Sequence, residues 1–427
     1  MDRAAPFEHC PMLAVGVSGG ADSMSLCLWA EDWARSRGGR SVALIVDHGL
    51  RAGSSAEAAR VSAWLEEFQI ENQVLTWRHE SLPLTGLQEK ARFARRELLA
   101  SWCAAHGVLH LLLGHHRRDQ AETILMRRKR SPTGDGVSGM SMVTEGPTVR
   151  ILRPLLDVSP DQLRVALTSA DVPWIEDPTN EDYRFERVRI RNALPRDLGA
   201  VIQSGLEAGQ MRAVADDATA KMIAGVFSYC PGGHVWGDFS RLSDHRTDEV
   251  ARALGRLVRT VGGRAYLPRG DRLRSLAERL LQPGFKGATL GGCRFLNRRG
   301  RLLIAREASL VAPEEPIAAG ETVVWDGRFT VRLKPKAPPG LYTVGALGST
   351  GWRQIRDLPS VARATEWPAA ARNVLPALRL GGTVIEVPHL TYTMTERHSE
   401  GVGLLEFEPS TPEPIVGGRF FIASVLD

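Results

Sequence analysis

The stretch Leu13-Ala-Val-Gly-Val-Ser-Gly-Gly-Ala-Asp-Ser23 decides the fold of the first part of the chain. Its apolar half is typical of a buried parallel strand, and apolar residues from Met24 to Trp33 then recur at helical spacing. A strand that turns through glycines into a helix start directs free N–H groups and the helix dipole at one place. The stretch therefore predicts a phosphate-binding loop, although no Gly-Lys-Ser/Thr follows as in a Walker A loop. The alternative is an ordinary strand-to-helix turn capped by Ser23.

Strands and helices alternate after this loop, which predicts a parallel, doubly wound α/β sheet. In such sheets ligands bind beyond the carboxyl ends of the strands, so we expect the loops after Val17, Val46 and Leu113 at one edge. Ser159-Pro-Asp-Gln162 has the pattern of a capping box with proline at the first helical position. The pattern predicts strands at 42–46, 74–77, 109–113 and 149–152, and helices at 54–68, 87–105, 120–130 and 160–170.

The character of the sequence changes near Leu198. Residues 199–310 are predicted to be mainly helical and rich in arginine, with short strands near their end. Proline and glycine around residues 313–340 indicate a linker and turns, and residues 311–427 are predicted to form a small mixed α+β domain. The sequence therefore predicts three domains with boundaries near 198 and 310.

Composition narrows the class of protein. The chain has 427 residues and a formal net charge of +5, and most of its 54 basic residues are arginine, which fits an anionic partner. The five cysteines are widely spaced, which favours neither a disulfide framework nor a zinc site. We find no signal-peptide pattern and no apolar run near the roughly 20 residues that span a bilayer. We expect a soluble, cytoplasmic protein with no membrane partner.

Acidic and imidazole side chains stand at two of the predicted strand ends. Asp22 can hold Mg²⁺ beside a triphosphate, or it simply favours the helix dipole. Asp119 and Glu122 are spaced as in a capping box, and such a cap can still face a site at the strand edge. His115 and His116 precede them, and the pair beside a phosphate loop favours a functional role.

Two clusters of basic residues are candidates for nucleic-acid contact. Lys90, Arg92, Arg95 and Arg96 line the polar side of the predicted 87–105 helix, where the ordinary interpretation is a solvated face. With the basic run at 127–130 they could follow a phosphate backbone. A second cluster is too dense for one helix face, so we expect some of its members to contact carboxylates or phosphate: Arg184, Arg187, Arg189 and Arg191.

Taken in order, these motifs resemble those of the tRNA(Ile)-lysidine synthetase family of PP-loop ATP-pyrophosphatases. The resemblance covers about residues 10–195, while the rest of the chain is similar in layout only. It implies an adenine nucleotide alpha hydrolase-like fold. The motifs are Ser18-Gly-Gly-Ala-Asp-Ser23, Val46-Asp-His-Gly-Leu-Arg51, Gln88-Glu-x-Ala-Arg92, His115-His-x-x-Asp-Gln-Ala-Glu-Thr123, Gly136-Val-Ser-Gly-Met140, Arg153-Pro-Leu-Leu156, Trp174-Ile-Glu-Asp-Pro-Thr-Asn180 and the segment 187–195.

The resemblance implies an ATP-dependent ligase. ATP, with Mg²⁺, would adenylate the C2 oxygen of the wobble cytidine in the CAU anticodon of an isoleucine tRNA. The ε-amine of free L-lysine would then attack C2, giving lysidine as AMP leaves. Residues 1–198 would form the catalytic domain, and both later domains would contact tRNA.

The resemblance also implies roles for individual residues. ATP would be held by Ser18, Gly19, Gly20, Ala21, Asp22, Ser23, Asp47 and His48, with Asp22 also carrying the metal. Asp22, His115, Asp119 and Glu122 would be catalytic. Arg92, Arg118, Arg187 and Arg189 would contact tRNA or substrate.

The chain departs from the family pattern at three places. Arg118 stands where the family usually has the first of two aspartates, Ser131-Pro-Thr133 replaces a glycine-rich stretch, and Val188 stands where asparagine is common. Arg118 either pairs with Asp119 or Glu122, or faces phosphate, and we favour the second. Two other functions stay open: a 2-thiolating PP-loop enzyme, which needs catalytic cysteines or an iron–sulfur site, and a catalytically weakened tRNA-binding relative.

Overall fold

The computed structural model describes residues 1–50, 53–78, 87–130, 135–146, 148–176, 186–195, 197–264, 266–394 and 403–409. The described residues up to Val214 form one compact unit, and those from Ala215 onward form a second. The first unit thus continues past Leu198, and the division into three domains stays a prediction. None of the described helices is both long enough and apolar enough to cross a membrane.

The first unit is built on a six-stranded sheet in the order β3-β2-β1-β4-β6-β5. Every neighbouring pair is parallel except β5 with β6. The predicted doubly wound parallel sheet is therefore confirmed. Its elements are β1 (Met12–Val17), α1 (Ala21–Arg35), β2 (Arg40–Asp47), α2 (Ser54–Glu67), β3 (Glu71–Thr76), α3 (Leu87–Ala105), β4 (His110–Leu113), α4 (Arg117–Arg130), β5 (Val143–Glu145), β6 (Arg150–Leu152), α5 (Pro160–Ser169), α6 (Glu186–Asn192) and α7 (Gly199–Val226).

Both faces of this sheet are covered, which explains why its central strands are apolar at successive positions. Leu13 and Val15 of β1 belong to a core shared with helices α1, α2 and α5. Ala14 of β1 and Leu44 of β2 point to the opposite face, where Leu99 of α3 packs. The helices on the two faces leave the carboxyl ends of the strands open to ligands.

The strand order creates a switch point between β1 and β4. The chain leaves β1 toward β2 and β3, and then returns to place β4 against the other side of β1. The loops that follow β1 and β4 therefore meet at one crevice. The two loops approach each other closely at Gly114, where an added Cβ would lie only 3.1 Å from the carbonyl oxygen of Asp22.

Local boundaries agree with the sequence in some places and differ in others. The capping box at Ser159 is confirmed: its Oγ accepts from the N–H of Gln162 at 3.2 Å, and Gln162 Oε1 accepts from the N–H of Ser159 at 3.0 Å. Helix α4 begins at Arg117, earlier than predicted. Strand β5 was not predicted, because three residues are too few to show a period.

The described residues of the second unit form three antiparallel sheets. The first, in the order β7-β8-β11-β10-β9, extends further than the short strands predicted near residue 300. A second five-stranded sheet follows in the order β12-β15-β16-β17-β18, and a three-stranded sheet in the order β13-β14-β19. The elements are β7 (Phe227–Cys230), β8 (His234–Asp238), α8 (Phe239–Leu242), α9 (Thr247–Gly262), α10 (Gly270–Leu281), β9 (Gly287–Leu290), β10 (Cys293–Arg298), β11 (Arg301–Arg306), β12 (Glu315–Pro316), β13 (Thr322–Trp325), β14 (Phe329–Leu333), β15 (Tyr342–Ala346), α11 (Gly348–Ile355), α12 (Ala369–Arg372), β16 (Pro376–Leu380), β17 (Thr383–Val387), β18 (Tyr392–Thr393) and β19 (Leu405–Pro409).

Candidate active site

The loop between β1 and α1 has the geometry of an anion-binding turn. Gly19 has φ +81°, and a Cβ there would lie 2.6 Å from Val61 Cγ2, so only glycine fits. Gly20 is the N-cap of α1 and offers no side chain to the helix start. Ala21 and Asp22 therefore present first-turn N–H groups at the crevice, where a phosphate can accept them.

Ser23 holds this loop together from inside. Its Oγ accepts the N–H of Ser18 at 3.1 Å and donates to the carbonyl of Gly20 at 2.9 Å. Ser23 lies within the helix and does not cap it, so the alternative of a turn capped by Ser23 is wrong. The buried hydroxyl instead fixes the position of the exposed Ser18 at the mouth of the loop.

His116 links the phosphate loop to the start of α4. Its Nδ1 accepts the N–H of Asp119 at 3.3 Å, and its own N–H donates to Asp119 Oδ2 at 3.0 Å. This reciprocal pair is a capping box with histidine as the cap. The Nε2 of His116 lies 3.5 Å from Asp22 Oδ2, so the ring stands between the phosphate loop and the start of α4. The sequence favoured a functional role for the pair of His115 and His116, but the roles implied by the resemblance included only His115.

Asp119 and Glu122 are bound by arginines from α6. Arg187 Nε donates to Glu122 Oε2 at 2.6 Å and its other side donates to Asp119, while Arg191 Nε donates to Glu122 Oε1 at 2.6 Å. Glu122 is fully buried. Burial alone would lower the pKa of Arg187, but Asp119 and Glu122 outweigh burial and raise it. A cap alone does not explain these residues.

The carboxyl groups at this crevice differ in their proton affinity. Burial raises the pKa of Asp22; His116 opposes that rise and Asp119 adds to it. Burial also favours the neutral form of Asp119, but His116 and Arg187 outweigh it and lower the pKa of Asp119. Asp22, with about a third of its side chain exposed, is thus the more accessible and the more basic of the two.

His115 is held neutral. Burial, together with the charges of Arg153, Arg187 and Arg92, lowers the pKa of His115 to about 3 against the opposing effect of Asp119. Its buried Nδ1 has no hydrogen-bond partner among the described residues. Such a ring is a weak base at neutral pH and can act only as an uncharged hydrogen-bonding group.

Arg95, which the sequence placed with Lys90, Arg92 and Arg96 on the polar side of the 87–105 helix, lies at the site. Its guanidinium lies under the sheet edge, 3.6 Å from where a Cβ of Gly16 would stand, and its charge helps to lower the pKa of His48. Burial lowers the pKa of Arg95 itself, and the charge of Arg92 adds to this. Its position in the chain gave a signal of this burial: Arg95 stands four residues before the buried Leu99, so the two share one face of α3.

The second loop of the sheet edge carries Asp47 and His48. Asp47 accepts from Ser55 Oγ at 2.6 Å, from the N–H of Gly49 at 3.0 Å, and from the hydroxyl of Ser54. The serine hydrogen bonds lower the pKa of Asp47, and burial lowers that of His48. Asp47 thus fixes the loop, while the neutral His48 ring lies edge-on to Trp77, with ring centroids 6.1 Å apart.

The remaining predicted contact residues lie at different depths. Arg118 and Arg189 are exposed. Since Arg187 and Arg191 bind the two acids, the alternative in which Arg118 pairs with them is wrong for this structure. Burial and the charge of Arg187 lower the pKa of Arg92, and the charge of Asp119 opposes this, so Arg92 lies near both groups. The predicted motif residues at 51, 131–133, 177–180 and 184 lie outside the described residues.

A short segment after α5 closes over the phosphate loop. The N–H of Ile175 donates to the carbonyl of Gly19 at 2.8 Å, and the Ile175 side chain would lie 3.2 Å from a Cβ at Gly19. The motif that begins at Trp174 is therefore part of the site wall. Its position explains why it accompanies a phosphate loop more than 150 residues earlier in the chain.

The described cysteines stand apart from this crevice. Cys27, Cys103 and Cys293 are buried as free thiols, and burial is the main reason that the pKa of each is raised. The described residues contain no group of three or more His, Cys, Asp and Glu side chains that could hold a metal by itself. They offer neither a reactive thiol pair nor a cluster site for sulfur chemistry.

The fold and the loop define a PP-loop ATP-pyrophosphatase domain, and residues 4–198 match the PP-loop domain family. The match includes the phosphate loop, the loop after β4 and helix α6. The chain belongs to the tRNA(Ile)-lysidine synthase family. It is 37% identical over 315 residues to the tRNA(Ile)-lysidine synthase of Hyphomonas neptunium, covering 70% of this chain and 83% of that protein.

Two other relatives extend the similarity along the chain. The tRNA(Ile)-lysidine synthase of Bradyrhizobium diazoefficiens is 35% identical over 364 residues, covering 84% of this chain and 92% of that protein. That of Orientia tsutsugamushi is 28% identical over 430 residues, covering 96% of both. The similarity to these relatives therefore covers both compact units.

Proposed function

We propose that this chain joins free lysine to C2 of the wobble cytidine in an isoleucine tRNA with a CAU anticodon. In the first half-reaction the C2 oxygen attacks the α-phosphorus of ATP, and the bond to the β-phosphate breaks to release pyrophosphate. In the second, the lysine ε-amine attacks C2, the C2–O bond breaks to release AMP, and the amine loses a proton. The product is lysidine.

One observation carries this proposal. In a member of this family, the phosphate loop lies at the same switch point as an acid–arginine cluster, which consists of Asp119, Glu122, Arg187 and Arg191. The loop supplies backbone N–H groups for the departing pyrophosphate. Arg187 supplies a fixed positive charge on the other side of the crevice, oriented by Asp119 and Glu122. Charges fixed before the reaction stabilise developing negative charge without reorganising.

The residues present fit ATP bound together with Mg²⁺. Magnesium commonly takes one or two carboxylates and completes its shell with water and substrate phosphates. Asp22 is a partly exposed carboxylate directly beside the phosphate loop. When bound there, the ion would neutralise charge on the phosphates. The neutral His48 and Trp77 rings would lie against the uncharged adenine.

The lysine amine must lose its proton before or during attack. Because the ordinary pKa of a lysine side chain is near 10.4, freeing the amine at pH 7 costs roughly 4–5 kcal/mol. His115 is poorly suited to accept this proton, because its pKa is about 3. We propose that Asp22 accepts it, because burial raises the pKa of Asp22, whereas His116 and Arg187 outweigh burial and lower that of Asp119, and two arginines bind Glu122.

The second unit supplies further tRNA contacts in this proposal. A cleft of about 650 Å³ is lined by Arg264, Arg269 and Arg272, with Tyr266 and Leu267 beside them. These three guanidinium groups have no acidic partner among the described residues. A cleft with this charge fits a phosphate backbone, and the exposed tyrosine fits a base.

The experiment is lysine transfer by the full chain. We expect ATP-dependent incorporation of labelled lysine into a CAU transcript, with one AMP and one pyrophosphate formed per lysine, and none into a transcript that carries uridine at the wobble position. Binding of tRNA without incorporation would favour a weakened relative. Sulfur incorporation would favour a thiolase, for which the described cysteines provide no site.

A further inference from the structure

Phe93 is an exposed aromatic ring on a helix that buries other large apolar side chains. It is 67% exposed, whereas Leu99 and Cys103 on the same helix are buried against the sheet. Leaving a phenyl ring in water forgoes roughly 1.5–3 kcal/mol of burial, so an exposed ring adds nothing to the fold. The ring is available to a partner.

The surroundings of Phe93 are cationic. Lys90 and Arg96 stand one helical turn before and after it, and both are exposed. No described acid pairs with either of them, and the carboxylates within a turn of the ring along the helix are Glu89 and Glu97. A flat apolar ring between two free cations complements a polyanion that carries flat bases.

Phe93 also adjoins the active site. The charges of Arg187 and Asp119 shift the pKa of its chain neighbour Arg92. The charge of Arg92 in turn helps to lower the pKa of His115. Helix α3 therefore presents Phe93 one residue away from a side chain that reaches the acid–arginine cluster.

We propose that Phe93 is a stacking platform for a nucleotide adjacent to the modified cytidine, with Lys90 and Arg96 on the flanking phosphates. This inference rests on the proposed function. An enzyme that acts on a base must take it out of its stack, which leaves its neighbours without a stacking partner. An aromatic ring replaces that partner and holds the loop open.

The first test compares four variants at Phe93 in the full chain. Stacking on an aromatic residue contributes a factor of roughly 5 to 150 to the affinity for RNA. Phe93→Ala and Phe93→Leu should weaken binding of the CAU transcript by this factor, while Phe93→Tyr and Phe93→Trp keep it. Leucine separates stacking from apolar contact, because it retains most of the volume and lacks the π face. If Phe93→Leu binds like the wild type, the proposal is wrong.

A matched control is Val165→Ala on α5, which removes an equally exposed apolar side chain, 65% exposed, from the same unit. It should leave RNA affinity unchanged. ATP binding and thermal melting should be unchanged in all five variants, since Phe93 and Val165 are both mostly exposed. A drop in melting temperature with Phe93→Ala would indicate a structural role and overturn the proposal.

The second test places the change on the RNA. Abasic residues are introduced in turn on each side of the wobble cytidine. If the abasic residue replaces the stacked base, the wild type should bind this RNA as weakly as Phe93→Ala binds the normal RNA. Combining the abasic RNA with Phe93→Ala should reduce the affinity no further than either change alone. Additive losses at both positions would overturn stacking at this site.

Two further outcomes identify other failures. If the wild type makes no lysidine, the proposed function fails whatever Phe93 does. If the wild type makes lysidine and Phe93→Ala changes only the oligomeric state, then Phe93 lies in a contact between two copies, and the stacking proposal is wrong.

Discussion

Asp22 is the residue on which we expect ATP chemistry to depend most directly. It faces the crevice from the first turn of α1, and burial raises its pKa. Asp22→Ala should reduce ATP-dependent lysine incorporation by roughly 10²- to 10³-fold, as for removal of one fixed electrostatic group. Its loss should change the free energy of unfolding by less than about 1 kcal/mol, the size of a helix-dipole contact.

The control for Asp22 lies on the same helix. Asp32→Ala removes an exposed carboxylate near the other end of α1 and should leave activity at the wild-type level. Pyrophosphate exchange and chemical denaturation of both variants make the comparison. Near-normal incorporation by folded Asp22→Ala would remove Asp22 from the chemistry.

Asp119 and its neighbour Arg118 should differ sharply in importance. Asp119→Asn keeps the shape but removes the charge that orients Arg187, so we expect a loss of about 10²-fold or more in single-turnover lysine incorporation. Arg187 then keeps its hydrogen bond to Glu122 but loses the charge-assisted bond to Asp119, which should cost roughly 1–3 kcal/mol of stability.

Arg118→Ala should reduce activity by no more than about tenfold, the size of one exposed charged contact. Stability should change by less than about 0.5 kcal/mol. Equal and small losses in both variants would show that the start of α4 is only a cap, and would place the chemistry elsewhere.

At the scale of elements, the turn between β1 and α1 should tolerate no side chain. Gly19→Ala places a Cβ 2.6 Å from Val61 Cγ2 at φ +81°, so it should destroy ATP binding and cost roughly 1–3 kcal/mol. Gly53→Ala is the matched control, because Gly53 has φ +98° with nothing within 4 Å. It should cost about 1–2 kcal/mol of strain and keep ATP binding. Equal ATP affinity in the two variants would contradict the importance of this close approach.

At the scale of the whole molecule, tRNA affinity should depend on salt through both units. Replacing both Arg269 and Arg272 by alanine should make the slope of log affinity against log salt shallower by about two units, since each lost phosphate contact removes about 0.9. Arg274→Ala on the same helix is the control, because Arg274 already pairs with Asp248 at 2.8 Å. An unchanged slope in the double variant would remove the cleft from tRNA binding.

The second unit should lose stability in mild acid. Burial lowers the pKa of His234 to about 4, and burial with Arg328 and His234 lowers that of His389 to about 4. The unfolded chain takes up these protons near pH 6.5 and the folded chain only near pH 4. The free energy of unfolding should therefore fall as pH decreases through this window, and level off below it.

His234→Phe tests this, because it keeps the aromatic contact with Trp367 and removes one titrating group. Denaturation at several pH values should show a dependence shallower by about 1.4 kcal/mol per pH unit between pH 6 and 4. A wild-type curve that is flat from pH 6.5 to 4 would contradict buried neutral histidines.

Much of the first unit followed from the amino-acid sequence alone. Runs such as Leu13–Val17 are apolar at every position, and this predicts a strand covered on both faces. Glycines at 19 and 20 predict an anion-binding turn, because only they permit the backbone found there. These are local properties, so the residues of each motif are enough to predict the element that the motif forms. The sequence also predicted which loops share one edge, since parallel strands all end on the same side.

The partners of the charged groups depended on the tertiary structure. Glu122 receives Arg187 and Arg191 from 65 and 69 residues away, and no local pattern distinguishes these arginines from the exposed Arg189 between them. Arg95 could not be separated from its exposed neighbours for the same reason. Electrostatic pairing falls off with distance in space, which the sequence does not contain. The sequence therefore determined the fold and the class of chemistry, and the packing of α3, α4 and α6 determined which charges form the site.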